Sequence, residues 1–296
     1  MFFSLLTVPS LEAQRFQRMF VGPGNDIGNC CIHTLDGGYL VAGTKMSASG
    51  YTDICLIRYD SLGTMLWYRT YGRSNDDAIS SVIANSDGSF TCLGHTDNDA
   101  RTERHLLILR IAANGNLISY KIFRLTESKK LFLLHRLVRL SDGNLFITFT
   151  VSSYPYSAGA SDAGYIKIQD NGTILYAKSS NFAQTDHVFG ATELPGGSVV
   201  ISGHSMRDIG VHKLFIAKID GTGNATVKFF PLVNNYHAGD IAYIPQTQQL
   251  LVQANAQKTY MTGHWKAFMS IADTNLNILK INYYNTNNES KNLLFS

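Results

Sequence analysis

Short apolar runs separated by turn signals recur along the chain, and they are clearest between residues 75 and 123. Four runs occur there: Ile79–Ala84, Phe90–Gly94, Leu106–Ile111 and Leu117–Phe123. Asp87-Gly88 and Asn114-Gly115 lie in the first and last gaps, and such pairs supply the positive φ angles of tight hairpin turns. A longer polar loop separates the second run from the third. The pattern predicts a four-stranded antiparallel meander, with strands a to d and tight a–b and c–d turns.

The same unit can be placed five times along the chain. Its c–d turn falls at Gly63, Gly115, Gly172, Gly223 and Asn275, which by subtraction gives steps of 52, 57, 51 and 52 residues. A period of about 50 residues with four strands per unit is typical of a β-propeller blade. The sequence therefore predicts an all-β fold, a β-propeller of four-stranded antiparallel blades. Five complete blades with partial terminal strands are expected, as a five-bladed ring or as a fragment of a six- or seven-bladed ring.

The blades are expected at about residues 25–72, 73–125, 126–181, 182–233 and 234–285, within a single propeller domain of residues 15–296. Residues 15–22 match the d strand at Trp67–Gly72, and Leu293–Phe295 could begin another a strand. The two ends therefore predict the halves of a split blade. Residues 1–14 are interpreted as the remnant of a signal peptide, because an apolar stretch precedes Ala13 but a basic n-region is missing. The alternative for these residues is an apolar strand packed on the domain.

Composition and charge limit the classes of partner that the protein is expected to bind. The 296 residues carry a net charge of only +3 and no basic run, which disfavours nucleic acid. No apolar run reaches the roughly 20 residues of a membrane-spanning helix. Three of the four cysteines, Cys31, Cys55 and Cys92, replace aliphatic residues of other repeats, so core filling is predicted for them. A bridge between neighbouring strands that involves these residues or Cys30 is the alternative under oxidising conditions.

Two stretches of the first copy resemble a known repeat. DGGYLVAGT at Asp36–Thr44 and LIRYDSLGTMLWYRTYG at Leu56–Gly72 are similar to the repeat of secreted β-propeller proteins of Bacteroidota, written DGGYIIAGYT and LIKLDSNGNIxWxKTYGG. The third and fourth copies keep its skeleton, and the fifth has drifted. The resemblance implies export, often by type IX secretion, and a secreted or cell-surface location associated with the outer membrane. Many members carry a C-terminal sorting domain that this sequence lacks, which leaves the export route open.

The meander also predicts where a ligand binds. Because the tight turns project from one end of every blade, the longer b–c and d–a loops share the other end, and binding residues commonly lie on such loops. Aromatic and polar side chains there suit the C–H faces and hydroxyls of a sugar, or a protein partner. The candidate ligand-binding residues are Tyr51, Asp76, Asp77, Tyr154, Tyr156, Asp186, His187, His237, Asp240, Tyr260 and Trp265. The acidic group at residues 75–77 suits Ca²⁺ or turn capping, and we predict neither a metal nor a cofactor.

Three functions remain open at this point. The first is a non-catalytic binding or adhesion scaffold for a glycan or protein, which we expect to be monomeric. The second is a carbohydrate-active hydrolase or lyase that uses carboxylates near the propeller axis, such as Asp77, Asp186 and Asp240. The third is a purely structural surface repeat. A basic residue recurs five positions before the c–d turn in four of the copies, as Arg58, Arg110, Lys167 and Lys218. We predict that it makes a structural contact between blades. The alternative is a ring of positive charge that binds an anionic glycan.

Overall fold

The fold is known from a computed structural model that describes residues 26–47, 49–72, 75–98, 100, 103–124, 130–152, 161–182, 185–208, 211–230, 235–257 and 265–284. Within these ranges, the side chains of residues 130, 132, 207, 208, 211, 235–238, 257, 265 and 283 are not described. The regular elements of the described part are twenty β-strands in five four-stranded antiparallel sheets. Each sheet pairs its strands in chain order, as the predicted meander requires.

We number the sheets as blades 1 to 5. Blade 1 contains β1 (Ile27–His33), β2 (Tyr39–Met46), β3 (Thr52–Tyr59) and β4 (Met65–Tyr71). Blade 2 contains β5 (Asp77–Ala84), β6 (Phe90–Asp97), β7 (Arg104–Ile111) and β8 (Leu117–Phe123). Blade 3 contains β9 (Lys130–Arg139), β10 (Leu145–Ser152), β11 (Ser161–Ile168) and β12 (Ile174–Ser180).

Blade 4 contains β13 (Thr185–Glu193), β14 (Val199–Asp208), β15 (Val211–Ile219) and β16 (Ala225–Phe229). Blade 5 contains β17 (Asn235–Ile244), β18 (Gln249–Gln257), β19 (Trp265–Asp273) and β20 (Ile278–Tyr284). The first strand of each blade packs beside the first strand of the next, so β1, β5, β9, β13 and β17 are the inner strands. The predicted signal-peptide remnant and both predicted terminal strands lie outside the described residues.

The hydrophobic core is divided among the interfaces between neighbouring blades, which we call seams. Successive side chains of a strand point to opposite faces, so a blade that is covered on both sides buries both sets. Four buried clusters result, one for each pair of consecutive blades. The seam between blades 1 and 2, for example, buries Leu40 and Leu56 of one blade against Val82 and Leu109 of the other. Stability therefore comes from blade stacking rather than from any single sheet.

The turn end of the blades is held by charges within the repeat. Positive φ angles occur at the expected glycines, and the fifth copy instead places Gln248 and Leu276 in this conformation. The expected c–d turn residue Asn275 is therefore one position early. The recurring basic residue has a structural role, but mainly inside its own blade. Its partners are the a–b turn aspartates: Arg58 pairs with Asp36, Arg110 with Asp87 at 2.7 Å, and Lys167 with Asp142 at 2.6 Å.

Two contacts of this kind also cross a seam. Arg110 forms a second ion pair with Asp170 of blade 3, at 2.8 Å. Lys218 donates a hydrogen bond to the carbonyl of Thr274 in blade 5, at 3.3 Å. These side chains are engaged at the turn end, which favours the structural interpretation over a cationic ring that is open to a glycan.

The four cysteines are free thiols in the structure. Cys55 and Cys92 are buried, which agrees with the predicted core-filling role, whereas Cys31 is exposed on β1. Burial raises the pKa of Cys30 to about 11, with a smaller contribution from Cys31. The bridge that the sequence left as an alternative is not formed here.

Candidate binding site around the propeller axis

Each inner strand carries a β-bulge at an equivalent position. The bulged residues are Asn29, Ser80, His135, Phe189 and the pair Gly239-Asp240. A bulge adds one residue to one strand of a pair, which bends that strand and re-aims a side chain. Because the inner strands surround the axis, the repeat places five such positions around the centre of the propeller.

Blades 3 to 5 bring a group of polar and aromatic side chains together at this level. We call His135, Arg136, His187, Phe189 and Asp240 the axial cluster. Its ion pair joins Arg136 Nη1 of blade 3 to Asp240 Oδ2 of blade 5 at 3.1 Å, with the side chains 45% and 34% exposed. The pair thus reaches past the inner strand of blade 4 and remains open to solvent.

The backbone of blade 4 leaves room for this ion pair at one residue. A Cβ atom on Gly190 would lie 2.6 Å from Asp240 Oδ1 and 2.7 Å from the backbone nitrogen of Ile241. Asp240 Oδ1 also accepts a hydrogen bond from that nitrogen at 2.9 Å. Glycine at position 190 is therefore needed for the close approach of blades 4 and 5 beside the axis.

The rings of the axial cluster pack on one another across the seam between blades 3 and 4. The centroids of His135 and Phe189 are 4.9 Å apart, and those of Phe189 and buried His204 are 5.3 Å apart. His187 lies 5.1 Å from His204 in the same blade. His135 Nε2 is 3.0 Å from Thr150 Oγ1. Burial, with a smaller effect of His187, lowers the pKa of His135 to about 3, so this ring is neutral near pH 7.

The acidic candidates at the starts of the inner strands lie in the seams. Asp77 is 2% exposed and Asp186 is fully buried, and they occupy the same position of the repeat. Asp186 Oδ2 accepts a hydrogen bond from the backbone nitrogen of Phe182 at 2.6 Å, which fixes the connection between blades 3 and 4. Asp76 Oδ1 accepts one from the backbone nitrogen of Thr52 at 2.9 Å. This geometry favours structural roles for three of the predicted site residues.

The structure describes only some of the other predicted residues in full. Tyr51 is half-buried, and its carbonyl accepts a hydrogen bond from the backbone nitrogen of Ser47 at 2.7 Å. Only His187 and Asp240 of the predicted set belong to the axial cluster. Tyr154, Tyr156 and Tyr260 lie outside the described residues, and His237 and Trp265 are described only as backbone positions in strands. Their part in a site stays a prediction.

Three members of the axial cluster, His135, Arg136 and Phe189, were not predicted. The sequence signal that could have indicated them is the length of the inner strand. Each inner strand has at least one residue more than the stretch of the second strand that it pairs with, and an extra residue marks the bulge. Without the register of the a–b pair, that residue looks like any other strand position.

One pair of carboxylates interacts near the seam between blades 1 and 2. The pKa of half-buried Asp53 is raised, first by burial and then by the nearby charge of Asp77. Two neighbouring carboxylates with different environments are a common arrangement for general acid–base chemistry.

In the described part of the chain, no group of three or more His, Cys, Asp or Glu residues could hold a metal ion. No helix among the described residues is long and apolar enough to cross a membrane.

No protein-family model matches the chain, and no curated protein matches it by sequence. Solved structures do match. A protein of unknown function from the Bacteroidetes species Dyadobacter fermentans has a TM-score of 0.57 at 10% identity, over 85% of this chain and 82% of that one. The β-propeller domain of the trilobed protease from Pyrococcus furiosus, described as having an open velcro topology, has a TM-score of 0.51 at 11% identity, over 86% and 70%.

A third match is the α-L-arabinanase of Penicillium chrysogenum, whose structure contains arabinobiose. It has a TM-score of 0.51 at 17% identity, over 80% of this chain and 72% of the arabinanase. At such low identities these likenesses concern the fold alone. Together with the five antiparallel four-stranded sheets, they confirm the predicted fold class: the chain is an all-β protein with a β-propeller architecture.

Proposed function

We propose that the protein is an exported β-propeller that acts as a non-catalytic binding scaffold, and that its ligand is a glycan that contacts the axial cluster. The observation that carries this proposal is the partly exposed Arg136–Asp240 pair, which spans the inner strand that carries the half-buried rings of His187 and Phe189. A guanidinium and a carboxylate supply donors and acceptors for hydroxyl groups, and a ring face suits the C–H face of a sugar.

The state of the acidic residues supports binding over turnover. A glycoside hydrolase needs two carboxylates that reach the scissile bond, about 5 to 10 Å apart. Asp77 and Asp186 are buried, and Asp186 bonds the backbone. Asp240 is half-buried, and it is paired with Arg136. Each of the three carboxylates considered near the axis is therefore buried or already paired, and a hydrolytic role would require it to become accessible.

The test is a glycan array probed with the full chain, followed by titration of the best glycan. Arg136→Ala and Asp240→Asn are expected to weaken binding about tenfold, because each removes charge-assisted hydrogen bonds worth roughly 1.5 to 3 kcal/mol. Arg139→Ala is the matched control, since Arg139 is on the same strand but pairs with Asp170 at the turn end. Equal losses in all three variants, or no loss in the first two, would contradict the proposed site.

A hydrolase is retained as a second candidate because of the Asp53–Asp77 interaction. It predicts release of reducing sugar from arabinan, and loss of that activity in Asp77→Asn with the fold intact. Asp60→Asn is the control, because the hydrogen bonds that Asp60 accepts among the described residues come from Leu62 and Thr64 of its own turn. Wild-type protein that binds a glycan without releasing sugar would exclude this candidate for that glycan.

Export is supported by the sequence resemblance to secreted Bacteroidota propellers. The proposal expects the protein in the medium or at the cell surface, where added protease cleaves it on intact cells. Protection from protease in intact cells, with cleavage only after lysis, would overturn this part and leave the glycan experiment unaffected.

A further inference from the structure

The seam between blades 2 and 3 contains a cavity of about 290 Å³ at its outer side. This volume equals about ten water molecules at roughly 30 Å³ each, and it is close to the lower end of small-molecule pockets. Its lining is mostly apolar, with side chains such as Phe123, Phe149, Val151 and Ile166. The corresponding cavity between blades 1 and 2 measures only about 100 Å³.

The difference follows from two positions on the outer strand. In blade 3, Ala177 pairs with Ile166 and Ser179 pairs with Gly164. The residues in the same register of blade 2 are Tyr120 and Ile122, and both line the smaller cavity. Small side chains therefore stand in blade 3 where blade 2 has large ones, and the missing volume appears as open space.

A third difference between the blades enlarges the same cavity, and it lies on the second and third strands of blade 3. In blade 4 the third strand carries Phe215, whose ring lies over Gly203 on the second strand. Blade 3 has the reverse order, with Phe149 on the second strand and Gly164 on the third. The bulky ring is thus moved inward by one strand, and the space beside the outer strand is left without a side chain. The cavity therefore results from three local differences in side-chain size between blade 3 and its neighbours.

The rim of the cavity carries positive charge. Arg124 follows the last residue of β8, is exposed, and borders the cavity. Lys178 also borders it, although its Nζ donates a hydrogen bond to Asn224 Oδ1 at 2.9 Å. An apolar interior with a guanidinium at the entrance is complementary to a ligand that has an apolar body and one anionic end.

We propose that this cavity binds an aliphatic chain that ends in a carboxylate, with the chain inside the seam and the carboxylate beside Arg124. The site is separate from the axial cluster, since it lies at the outer strands of blades 2 and 3. It does not depend on the proposed glycan-binding function.

The experiment is calorimetric titration of the full chain with decanoate, with 1-decanol as the neutral probe. Ser179→Phe introduces the residue that occupies the same register in blade 4, Phe229, and fills the cavity. It is expected to weaken decanoate binding at least tenfold. Ala177→Leu fills the cavity from the adjacent position and serves if the first variant does not fold. Leu175→Phe is the matched control, because Leu175 is exposed on the same strand and does not line the cavity.

The charge at the rim is tested separately. Arg124→Gln is expected to weaken decanoate binding about three- to fivefold, as for a partly exposed ion pair, and to leave decanol binding unchanged. Unchanged decanoate affinity in both cavity-filling variants would overturn the site. Equal affinity of the wild type for decanoate and decanol would overturn the assignment of a carboxylate, as would an Arg124→Gln variant that loses both ligands equally.

Discussion

The seams on either side of blade 3 are built from the same register but are filled in different ways. Between blades 3 and 4, the rings of Phe182, Phe215 and Phe229 pack in sequence, with centroids 5.0 and 6.2 Å apart. Between blades 2 and 3, Gly164 and Ser179 stand where blade 4 has Phe215 and Phe229. A propeller repeat therefore tolerates large changes in side-chain volume at one seam, because each seam has its own small core.

The largest expected effect is the loss of the central ring in the filled seam. Phe215 is fully buried, so Phe215→Ala should lower the free energy of unfolding by about 3 to 5 kcal/mol. Phe149→Ala should cost less, since its ring already borders a cavity and has fewer neighbours to lose. Urea denaturation of both variants measures the difference. Equal losses of unfolding free energy in the two variants would show that the cavity does not weaken the packing around Phe149.

Acid should weaken the filled seam through His135. The pKa of this ring is about 3 in the folded protein against 6.5 for a free histidine, so the unfolded chain binds more protons between these values. The contribution of neutral His135 to the free energy of unfolding is therefore fully present above about pH 6.5 and is lost as the pH falls towards 3. The loss due to His135 between about pH 7 and pH 4.5 should be about 2 to 3 kcal/mol.

The control for this acid effect is His135→Gln, which cannot titrate in this range. Urea denaturation at several pH values should show a smaller pH dependence in the variant than in the wild type. The carboxylates with lowered pKa, such as Asp87 at about 2, contribute only below pH 3.8 and act alike in both proteins. Identical profiles down to pH 4.5 would contradict the buried neutral imidazole.

The two glycines that face a phenylalanine should respond differently to an added methyl group. A Cβ on Gly203 would overlap the carbonyl oxygen of His187, which is backbone and cannot move aside. A Cβ on Gly164 would overlap only the ring of Phe149, which can turn into the adjacent cavity. Gly203→Ala should therefore cost about 3 kcal/mol and Gly164→Ala about 1 kcal/mol. Thermal unfolding of the two variants, compared with the wild type, tests the order.

The smallest expected effect is a gain. Ala177→Leu adds apolar atoms to the cavity between blades 2 and 3 without touching its rim, so stability should increase by about 0.5 to 1 kcal/mol. Val227→Leu, at the equivalent position in the filled seam, ends in the same side chain and adds only one carbon atom, but it should give no gain because that seam has no free volume. The midpoint of urea denaturation is sufficient to compare the two. A loss at position 177 would mean that the cavity is closed to a larger side chain.

Much of the scaffold was predictable because the turn chemistry repeats. The strand predicted at Leu117–Phe123 is β8 without change, and the c–d turn glycines have the positive φ angles expected of them. In the fifth copy glycine is lost, and the expected turn residue was displaced by one from Leu276. Where the local signal weakens, the fold persists because blade stacking, rather than the turn, maintains the strands.

The candidate site was less predictable. The sequence predicts Asp77 and Asp186 as candidates near the propeller axis, but a sequence pattern does not show that the seam closes over them. Arg136 and Asp240 are 104 residues apart by subtraction, on blades that are not neighbours, and no local rule pairs them. The bulges that turn His135 and Phe189 towards each other depend on register, which only the paired strands define.

The sequence by itself determined the repeat, the strands, most of the turns and hence the propeller, since these depend on contacts between residues close together in the chain. The tertiary structure alone decided which charges meet at the axis, which carboxylates are buried, and where a seam is left unfilled. The physical reason is that these features depend on how side chains from different blades share volume and solvent. That sharing is settled only when the blades stack.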